Sequence, residues 1–186
     1  GPDQGRSFLS QRAALGFRRL AIIDPGGSVQ PMLNETGDKV LVFNGEIYNY
    51  QELRLELLAA GHRFSSQGDS EVLLHGYEEW GEALPERLRG MFAFAIWDEK
   101  AQTLFAARDP FGIKPFYYAI ARGCFVFASE IKGILPHPAY EKRLNPKALE
   151  QYLSFQYSVL EDTFFQGVRQ LLPGHSLTYR ASDSSL

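Results

Sequence analysis

The stretch Phe43-Asn44-Gly45-Glu46-Ile47-Tyr48-Asn49 decides how this chain is interpreted. The apolar residues that lead into it predict a strand, and this strand continues to Asn44 and Gly45. A side-chain amide and a flexible backbone N–H then lie side by side, and two such donors can hold an oxyanion that develops during a reaction. The alternative is a type I′ hairpin turn, because Asn-Gly is the strongest short signal for that turn.

The segments around this stretch read as short apolar strands separated by turn residues. Antiparallel strands are predicted at residues 12–24 and 39–44. Residues 91–97 and 103–107 are predicted to form a hairpin that is buried on both faces, and residues 116–120 and 125–128 are predicted to form another hairpin.

Helical spacing appears in three places along the chain. One helix begins after Asn49, a plausible N-cap, and stops at Gly61. A second helix follows Asp69, and a third covers Pro146–Phe155 with Asn145 as its cap. Because strands and helices are clustered rather than alternating, the sequence predicts a layered α+β fold and not a doubly wound parallel sheet.

Composition narrows the classes of function. The 186 residues suffice for one domain, and 19 basic against 22 acidic residues give a net charge of -3. With no long basic run, the chain is not expected to bind nucleic acid, and with no apolar run of about 20 residues it is not expected to span a membrane. The single cysteine, Cys124, reads as a packing residue and suits a reducing compartment, so a cytoplasmic location is predicted.

Several motifs occur in order along the chain. They are Gly1-Pro2-Asp3, Arg18-Arg19-Leu20-Ala21-Ile22-Ile23-Asp24, Gln30-Pro31-Met32, Asn44-Gly45-Glu46-Ile47-Tyr48-Asn49, Gly68-Asp69-Ser70-Glu71-Val72, Arg108-Asp109-Pro110-Phe111-Gly112-Ile113-Lys114-Pro115 and Leu172-Pro173-Gly174-His175. In this order the chain resembles the class II glutamine amidotransferase domain of asparagine synthetases, an N-terminal-nucleophile hydrolase. The resemblance implies a four-layer αββα sandwich of two mainly antiparallel sheets flanked by helices. It assigns residues 1–180 to this domain and 181–186 to a tail or linker towards a synthetase domain.

The resemblance also implies roles at one end of a glutamine site. Asn44 and Gly45 match the family's oxyanion donors, and Arg19 matches the arginine that grips the substrate α-carboxylate, a task that suits a bidentate guanidinium. The alternative for Arg19 is a surface arginine on a strand. Because neighbouring strand residues face opposite sides, only one of Arg18 and Arg19 can reach the pocket, and Arg19 is chosen by its place before Leu20.

At the other end of the substrate, Asp69 matches the family carboxylate that pairs with the α-ammonium group. Glu46 and the backbone near Ile23 would complete this polar end. Asp is also among the best helix N-caps, so capping is the alternative role for Asp69, and both roles can coexist.

Two expectations concern the nucleophile. Family members begin with a cysteine, whereas this chain begins with Gly1, so the resemblance predicts that the cysteine segment is missing and that the chain alone is inactive. Cys124 has no free α-amino group and is not expected to replace that cysteine. Since the family's first strand pairs within a sheet, an open slot is expected beside Asn44, Gly45 and Asp69, with Arg19 at its rim.

Partners and cofactors follow from the same resemblance. The substrate is L-glutamine, and ammonia would pass to a synthetase domain of the same polypeptide that uses ATP and magnesium to amidate a carboxylate such as aspartate. No cofactor is implied in this chain, and a homodimer is left open. Two alternatives stay open: a sibling amidotransferase with another acceptor, and a catalytically inactive interaction module.

Two further residue groups are interpreted as structural. Arg108 and Asp109 are expected to form a buried pair that supports the site's architecture. The four histidines show no ligand spacing, so no metal site is predicted from His62, His75, His137 and His175.

Overall fold

A computed structural model of the chain describes residues 4–19, 29–156 and 160–186, with only the backbone described for Gln4 and Arg19. The strands are β1 (Gln4–Leu9), β2 (Ala14–Arg19), β3 (Met32–Leu33), β4 (Lys39–Ile47), β5 (Gly90–Asp98), β6 (Thr103–Arg108), β7 (Tyr117–Ala121), β8 (Cys124–Ala128), β9 (Arg169–Gln170) and β10 (Ser176–Arg180). The helices are α1 (Tyr50–Ala59), α2 (Asp69–Trp80), α3 (Leu84–Arg87), α4 (Ile131–Ile134) and α5 (Pro146–Phe155).

Three antiparallel sheets are formed within the described ranges. The largest has the strand order β10-β6-β5-β4-β3, and the smaller ones are the hairpin β1-β2 and the sheet β8-β7-β9. Strands β4 and β5 pair along their full length, from Lys39 opposite Asp98 to Ile47 opposite Gly90. This long pair occupies the interior of the five-stranded sheet and therefore forms the centre of the domain.

The sheets and helices stack in layers on two main cores. On one face of the five-stranded sheet, side chains of β4 pack against α1 and α2; this core includes Leu41, Phe43, Ile47, Leu53, Leu57, Val72 and Leu73. The opposite face packs against the two smaller sheets through Val40, Val42, Ala95, Leu15, Tyr118 and Tyr179. Alternation along β7 then turns Ala119 outwards to Ile134 of α4. The predicted αββα sandwich is confirmed.

Most predicted elements are present, with boundaries set by tertiary contacts. Both predicted hairpins, β5 with β6 and β7 with β8, occur. Strand β4 continues through Asn44 and Gly45 to Ile47, so the hairpin turn considered for Asn-Gly is wrong. Within the described parts of the chain, no helix combines the length and apolar character that a membrane span requires.

The two predicted helix caps behave differently. The Asn145 side chain caps α5 by accepting the Ala148 N–H. Asn49 precedes α1, but its side chain instead donates to the Arg87 carbonyl at 3.0 Å and accepts the Arg89 N–H at 2.8 Å. The Asn49 amide binds these two backbone groups instead of capping α1, and it thereby connects the start of α1 to the end of α3 and the residues that follow.

The C-terminal residues fold back onto the sheet. Arg180 N–H donates to the Ser185 carbonyl, and Ala181 N–H donates to the Gln102 carbonyl in the turn between β5 and β6. Residues 181–186 thus form a turn against the end of β10.

Arg108 and Asp109 each bind backbone groups, so the predicted pair between them is wrong. Arg108 donates to the carbonyls of Gly112, Lys114 and Leu171 at 2.7–2.8 Å. Asp109 is fully buried and accepts four backbone N–H groups, those of Phe92, Phe111, Ile113 and Lys114. Burial alone would raise the pKa of the Asp109 carboxyl, but the four amides together outweigh it and lower that pKa. The two side chains fix the loop that connects β6 to β7.

We expect Asp109→Asn to lower the free energy of unfolding by about 3 kcal/mol at pH 7, since the variant loses charge-assisted bonds and turns an amide NH₂ towards N–H donors. The melting temperature should fall by roughly 6–12 °C. Because folding lowers the pKa of Asp109, its stabilisation is present above the ordinary value of 3.8 and is lost as the pH falls further. Thermal unfolding of both proteins between pH 2 and 8 measures this, and the difference between them should shrink below pH 3.8. The exposed control Asp183→Asn should change the melting temperature little, and equal changes for the two variants would contradict the prediction.

Candidate active site

Asn44 lies at the end of the sheet face that is turned towards the smaller sheets. Val40 and Val42 precede it on that face and are buried, whereas Asn44 is exposed. Strand alternation produces this arrangement, because every second residue of β4 faces the same side. The Asn44 side chain therefore borders the space between the sheets.

A groove of about 480 Å³ lies in that space. Its walls are β2 at residues 14–17 and β8 at residues 124–128, and its floor is β4 at 42–44 with β5 at 93–95. In the described ranges β2 pairs with β1 and β8 pairs with β7, so each strand turns one edge away from its partner. Such edges can pair with an extended chain. The expected slot beside Asn44 is present, although Gly45 and Asp69 do not line it.

Gly45 is required by the close approach of β4 to β5. A Cβ atom at this position would collide with the Met91 carbonyl oxygen and would lie 2.8 Å from Phe92 Cα. Both obstacles are backbone atoms, so a side chain at position 45 would displace one of the two central strands. The glycine therefore allows β4 to approach β5 closely at this position.

The edge of β4 beyond β3 is completed by side chains. Phe43 N–H donates to Gln30 Oε1 at 2.6 Å, and Ile47 N–H donates to Asp69 Oδ2 at 3.0 Å. Because backbone groups alternate in direction along a strand, the Gly45 N–H between them is directed to the same edge. The sequence motif Gln30-Pro31-Met32 indicated no role for Gln30; in the structure its side-chain oxygen accepts the Phe43 N–H.

Asp69 is the first residue of α2 and is 6% exposed. Gly68 occupies the N-cap position, so the capping alternative for Asp69 is wrong by one residue. Burial raises the pKa of the Asp69 carboxyl, and the charge of Glu46 raises it further, against the opposing effect of the Ile47 N–H and the first amides of α2. Two neighbouring carboxylates at the end of β4 favour a cationic ligand group.

Of the remaining predicted site residues, only the backbone of Arg19 lies within the described part of the chain. Arg19 ends β2 with its Cα opposite Gln4, but its side chain and the whole of Ile23 lie outside the described residues. Arg18 is exposed, whereas Leu15 and Phe17 of the same strand pack into the core between the sheets.

Cys124 begins β8 and is exposed, so its interpretation as a packing cysteine is wrong. It borders the groove wall, but it also borders a second cavity with Trp97 and Leu104 at the far end of the sheet. Trp97 pairs with Val40, so at about 3.3 Å per residue the Cys124 end lies about 13 Å along β4 from Asn44. Cys124 and Asn44 therefore occupy opposite ends of the space between the sheets.

Comparison with known proteins agrees with this geometry. A sequence model described as "Glutamine amidotransferase domain" matches residues 1–186. The chain is 43% identical to the glutamine-hydrolyzing asparagine synthetase 3 of Bacillus subtilis (strain 168), over 96% of this chain and 30% of that protein. It is 38% identical to amidase chry2 of Gibberella zeae, over 98% of this chain and 27% of that protein. The chain thus spans about 30% of the length of the curated relatives it matches.

Solved structures show the same fold. The glutamine phosphoribosylpyrophosphate amidotransferase from B. subtilis, complexed with ADP and GMP, superposes with a TM-score of 0.55 at 26% identity, over 65% of this chain and 28% of that one. A structure described as the allosteric regulatory enzyme of purine biosynthesis superposes with a TM-score of 0.62 at 23% identity, over 90% of this chain and 33% of that one. The resemblance read from the sequence is confirmed, and the chain belongs to the family of class II glutamine amidotransferase domains.

Proposed function

We propose that this chain is the glutaminase half of an asparagine synthetase-like enzyme, which hydrolyses the side-chain amide of L-glutamine and releases ammonia. One observation carries the proposal: Asn44 borders the groove near the end of β4, Gly45 follows it with its N–H directed to the strand edge, and the Asp69 carboxylate accepts the Ile47 N–H two residues further on. This arrangement supports an assignment in which Asn44 and Gly45 donate to an oxyanion and Asp69 binds an ammonium group.

The reaction would use a cysteine thiol carried on an N-terminal strand of the full-length protein, seated between the edges of β2 and β8. Its sulfur adds to the amide carbon and forms a tetrahedral intermediate; as this intermediate collapses, the C–N bond breaks and the nitrogen leaves as ammonia with the thiol proton. Water then cleaves the thioester to glutamate. The Asn44 amide and the Gly45 N–H would stabilise the negative oxygen of each tetrahedral intermediate.

Substrate recognition would depend on charge at the amino-acid end. Asp69 and Glu46 supply negative charge at the end of β4, which suits the α-ammonium group. Arg19, at the end of β2, would bind the α-carboxylate with two parallel N–H donors. The exposed position of Arg18 supports the choice of Arg19 over its neighbour.

Ammonia would be consumed in a synthetase domain of the same polypeptide, located in the cytoplasm, where ATP and magnesium activate an acceptor carboxylate. The 43% identity to asparagine synthetases favours aspartate as that acceptor. The 38% identity to amidase chry2 supports a second candidate, in which the acceptor differs. Incubating the full-length protein with glutamine, ATP, magnesium and aspartate, and detecting asparagine, distinguishes the two.

In the full-length protein with its N-terminal cysteine, we expect Asn44→Ala to lower kcat about 10²–10³-fold with little change in KM, because its donor acts mainly in the transition state. Arg19→Lys should instead mainly raise KM, since an ammonium cannot replace the bidentate clamp. Steady-state ammonia release measures both, and Arg18→Lys is the matched control that should change neither constant. Exchanged effects at positions 44 and 19 would show that the two roles are reversed.

We expect Asp69→Asn to raise the melting temperature of the domain and to weaken the binding of glutamine. Folding raises the pKa of Asp69, so its charged form costs stability above the ordinary value of 3.8, and the neutral amide removes that cost. The variant should melt at a higher temperature at pH 7, with the difference vanishing as the pH falls towards 3.8. Loss of the buried charge should raise KM for glutamine about 30-fold or more.

A control substitution on the same helix should change the melting temperature in the opposite direction. Glu71 accepts four hydrogen bonds from Ser65 and Ser66, which outweigh burial and lower its pKa, so Glu71→Gln should reduce the melting temperature at pH 7. A stabilising Glu71→Gln, or a destabilising Asp69→Asn with unchanged KM, would contradict the assignment of Asp69.

Cys124→Ser should leave glutamine hydrolysis by the full-length protein unchanged, because Cys124 lies about 13 Å from Asn44 along the strand direction. Ammonia release and alkylation of the protein by an iodoacetamide probe would be compared for both proteins. A loss of turnover in the variant would place Cys124 in the reaction.

A further inference from the structure

Two histidines that are distant in sequence meet on the helix side of the five-stranded sheet. His62 lies just after α1 and His75 lies within α2, and their ring centroids are 4.9 Å apart. His75 is 1% exposed, and its Nε2 atom has no hydrogen-bond partner in the described structure. The spacing along the sequence gave no sign of this contact, because it arises from the packing of α1 on α2.

Both rings turn their Nδ1 atom towards the same carboxylate oxygen. Glu78 Oε2 lies 3.0 Å from His75 Nδ1 and 3.7 Å from His62 Nδ1. The second oxygen, Glu78 Oε1, accepts the Asn34 side-chain N–H at 2.7 Å, which fixes the orientation of the carboxylate. Donor atoms of His62, His75 and Glu78 all lie within 4.8 Å of one another.

The far side of each ring faces further carboxylates. His75 Nε2 lies 3.5 Å from Glu35 Oε1 and 3.8 Å from Glu71 Oε1. His62 Nε2 lies 3.1 Å from Glu79 Oε2. A neutral imidazole has one N–H and one bare lone pair. Both nitrogens of each ring thus lie close to a carboxylate oxygen, a geometry that suits a cation held between a ring lone pair and a carboxylate.

A metal ion at the Nδ1 side would have both rings and the Glu78 carboxylate as neighbours. Each Nδ1 lone pair would bind the cation, and the His62 Nε2–H would donate to Glu79 at 3.1 Å. The His75 Nε2–H would face Glu35 and Glu71, and a small shift of either side chain would bring it from 3.5 or 3.8 Å into hydrogen-bond distance. This is the outer-shell arrangement in which a metal-bound histidine donates its other N–H to a carboxylate, which sets the tautomer and increases the basicity of the ligand. The cluster thus has the geometry of a ligand set with its supporting shell.

We propose that His62 Nδ1, His75 Nδ1 and Glu78 Oε2 bind a divalent transition metal, with zinc as the ion that best fits two imidazoles and one carboxylate. Tetrahedral zinc requires donor atoms roughly 3.4 Å apart, so small side-chain rotations would close the site. The side chains of His62 and Glu78 are 18% and 22% exposed, which leaves a fourth position open to water. Bound metal would join the end of α1, the middle of α2 and, through Asn34, the turn that follows β3.

Zinc titration of the chain, stripped of metal with EDTA, tests the proposal directly. Calorimetry should show one zinc per chain with a Kd of about 1 µM or tighter, and saturating zinc should raise the melting temperature by several degrees. Co²⁺ should bind the same site and give visible absorption of a four-coordinate ion. His62→Gln and Glu78→Gln should each weaken zinc binding by more than about 10-fold, and Glu79→Gln by about 10-fold.

Matched controls separate this site from others. His175→Gln, at an exposed histidine bound to the Pro173 carbonyl, and Cys124→Ser should bind zinc as the parent chain does. His62→Gln is the decisive variant, since His62 is not buried and its replacement should leave the fold intact, which circular dichroism checks. Absence of binding at 100 µM zinc, or binding that survives both His62→Gln and Glu78→Gln, would overturn the proposal.

Discussion

The first two turns of α2 are buried on every side. The polar side chains in these turns need hydrogen-bond partners, and neighbouring parts of the domain supply them. Residues 69–76 all lie inside, although several of them are polar. A buried polar group without a hydrogen bond costs free energy comparable to a lost bond. Asp69 therefore binds the Ile47 N–H, Ser70 binds the Gln30 side chain, and Glu71 binds the segment before the helix. Helix and sheet are fixed in one relative position.

That fixed position produces the open end of the central strand. Strand β3 pairs only with Leu41 and Val40, so the remaining length of β4 would expose its edge without side-chain partners. Gln30 and Asp69 take two of the amides on this edge. Gly45 lies between them, and the backbone crowding against β5 admits no side chain there. Under the proposed function, the Gly45 N–H would bind the oxyanion, because Gln30 and Asp69 already occupy the amides on either side of it.

The sequence predicted what depends on local patterns and missed what depends on tertiary competition. Alternating and helical periodicity predicted β4, the two hairpins and α2, because burial of one face enforces those periods. It missed β1 and β10, whose polar residues pair only once other strands are in place. Asn49 was predicted as a helix cap, but its side chain binds the Arg87 carbonyl. Arg108 was predicted as the partner of Asp109, but both side chains bind backbone groups instead. At the site, motif resemblance indicated Asn44 and Asp69. It did not predict that the Gln30 side chain binds the Phe43 N–H, because this contact depends on the tertiary fold.

Helix α2 connects the two chemical clusters through its own rigidity. Asp69 begins the helix at the candidate active site, and His75 follows about 9 Å further along the axis. Burial raises the pKa of the Asp69 carboxyl, whereas hydrogen bonds from Ser65 and Ser66 outweigh burial and lower the pKa of Glu71. Both carboxyl groups fix the start of the helix, Asp69 on the Ile47 N–H and Glu71 on the Ser66 N–H. The histidine and glutamate contacts at the middle of α2 add to that constraint, so a cation bound there would stiffen the same helix that presents Asp69 to the substrate.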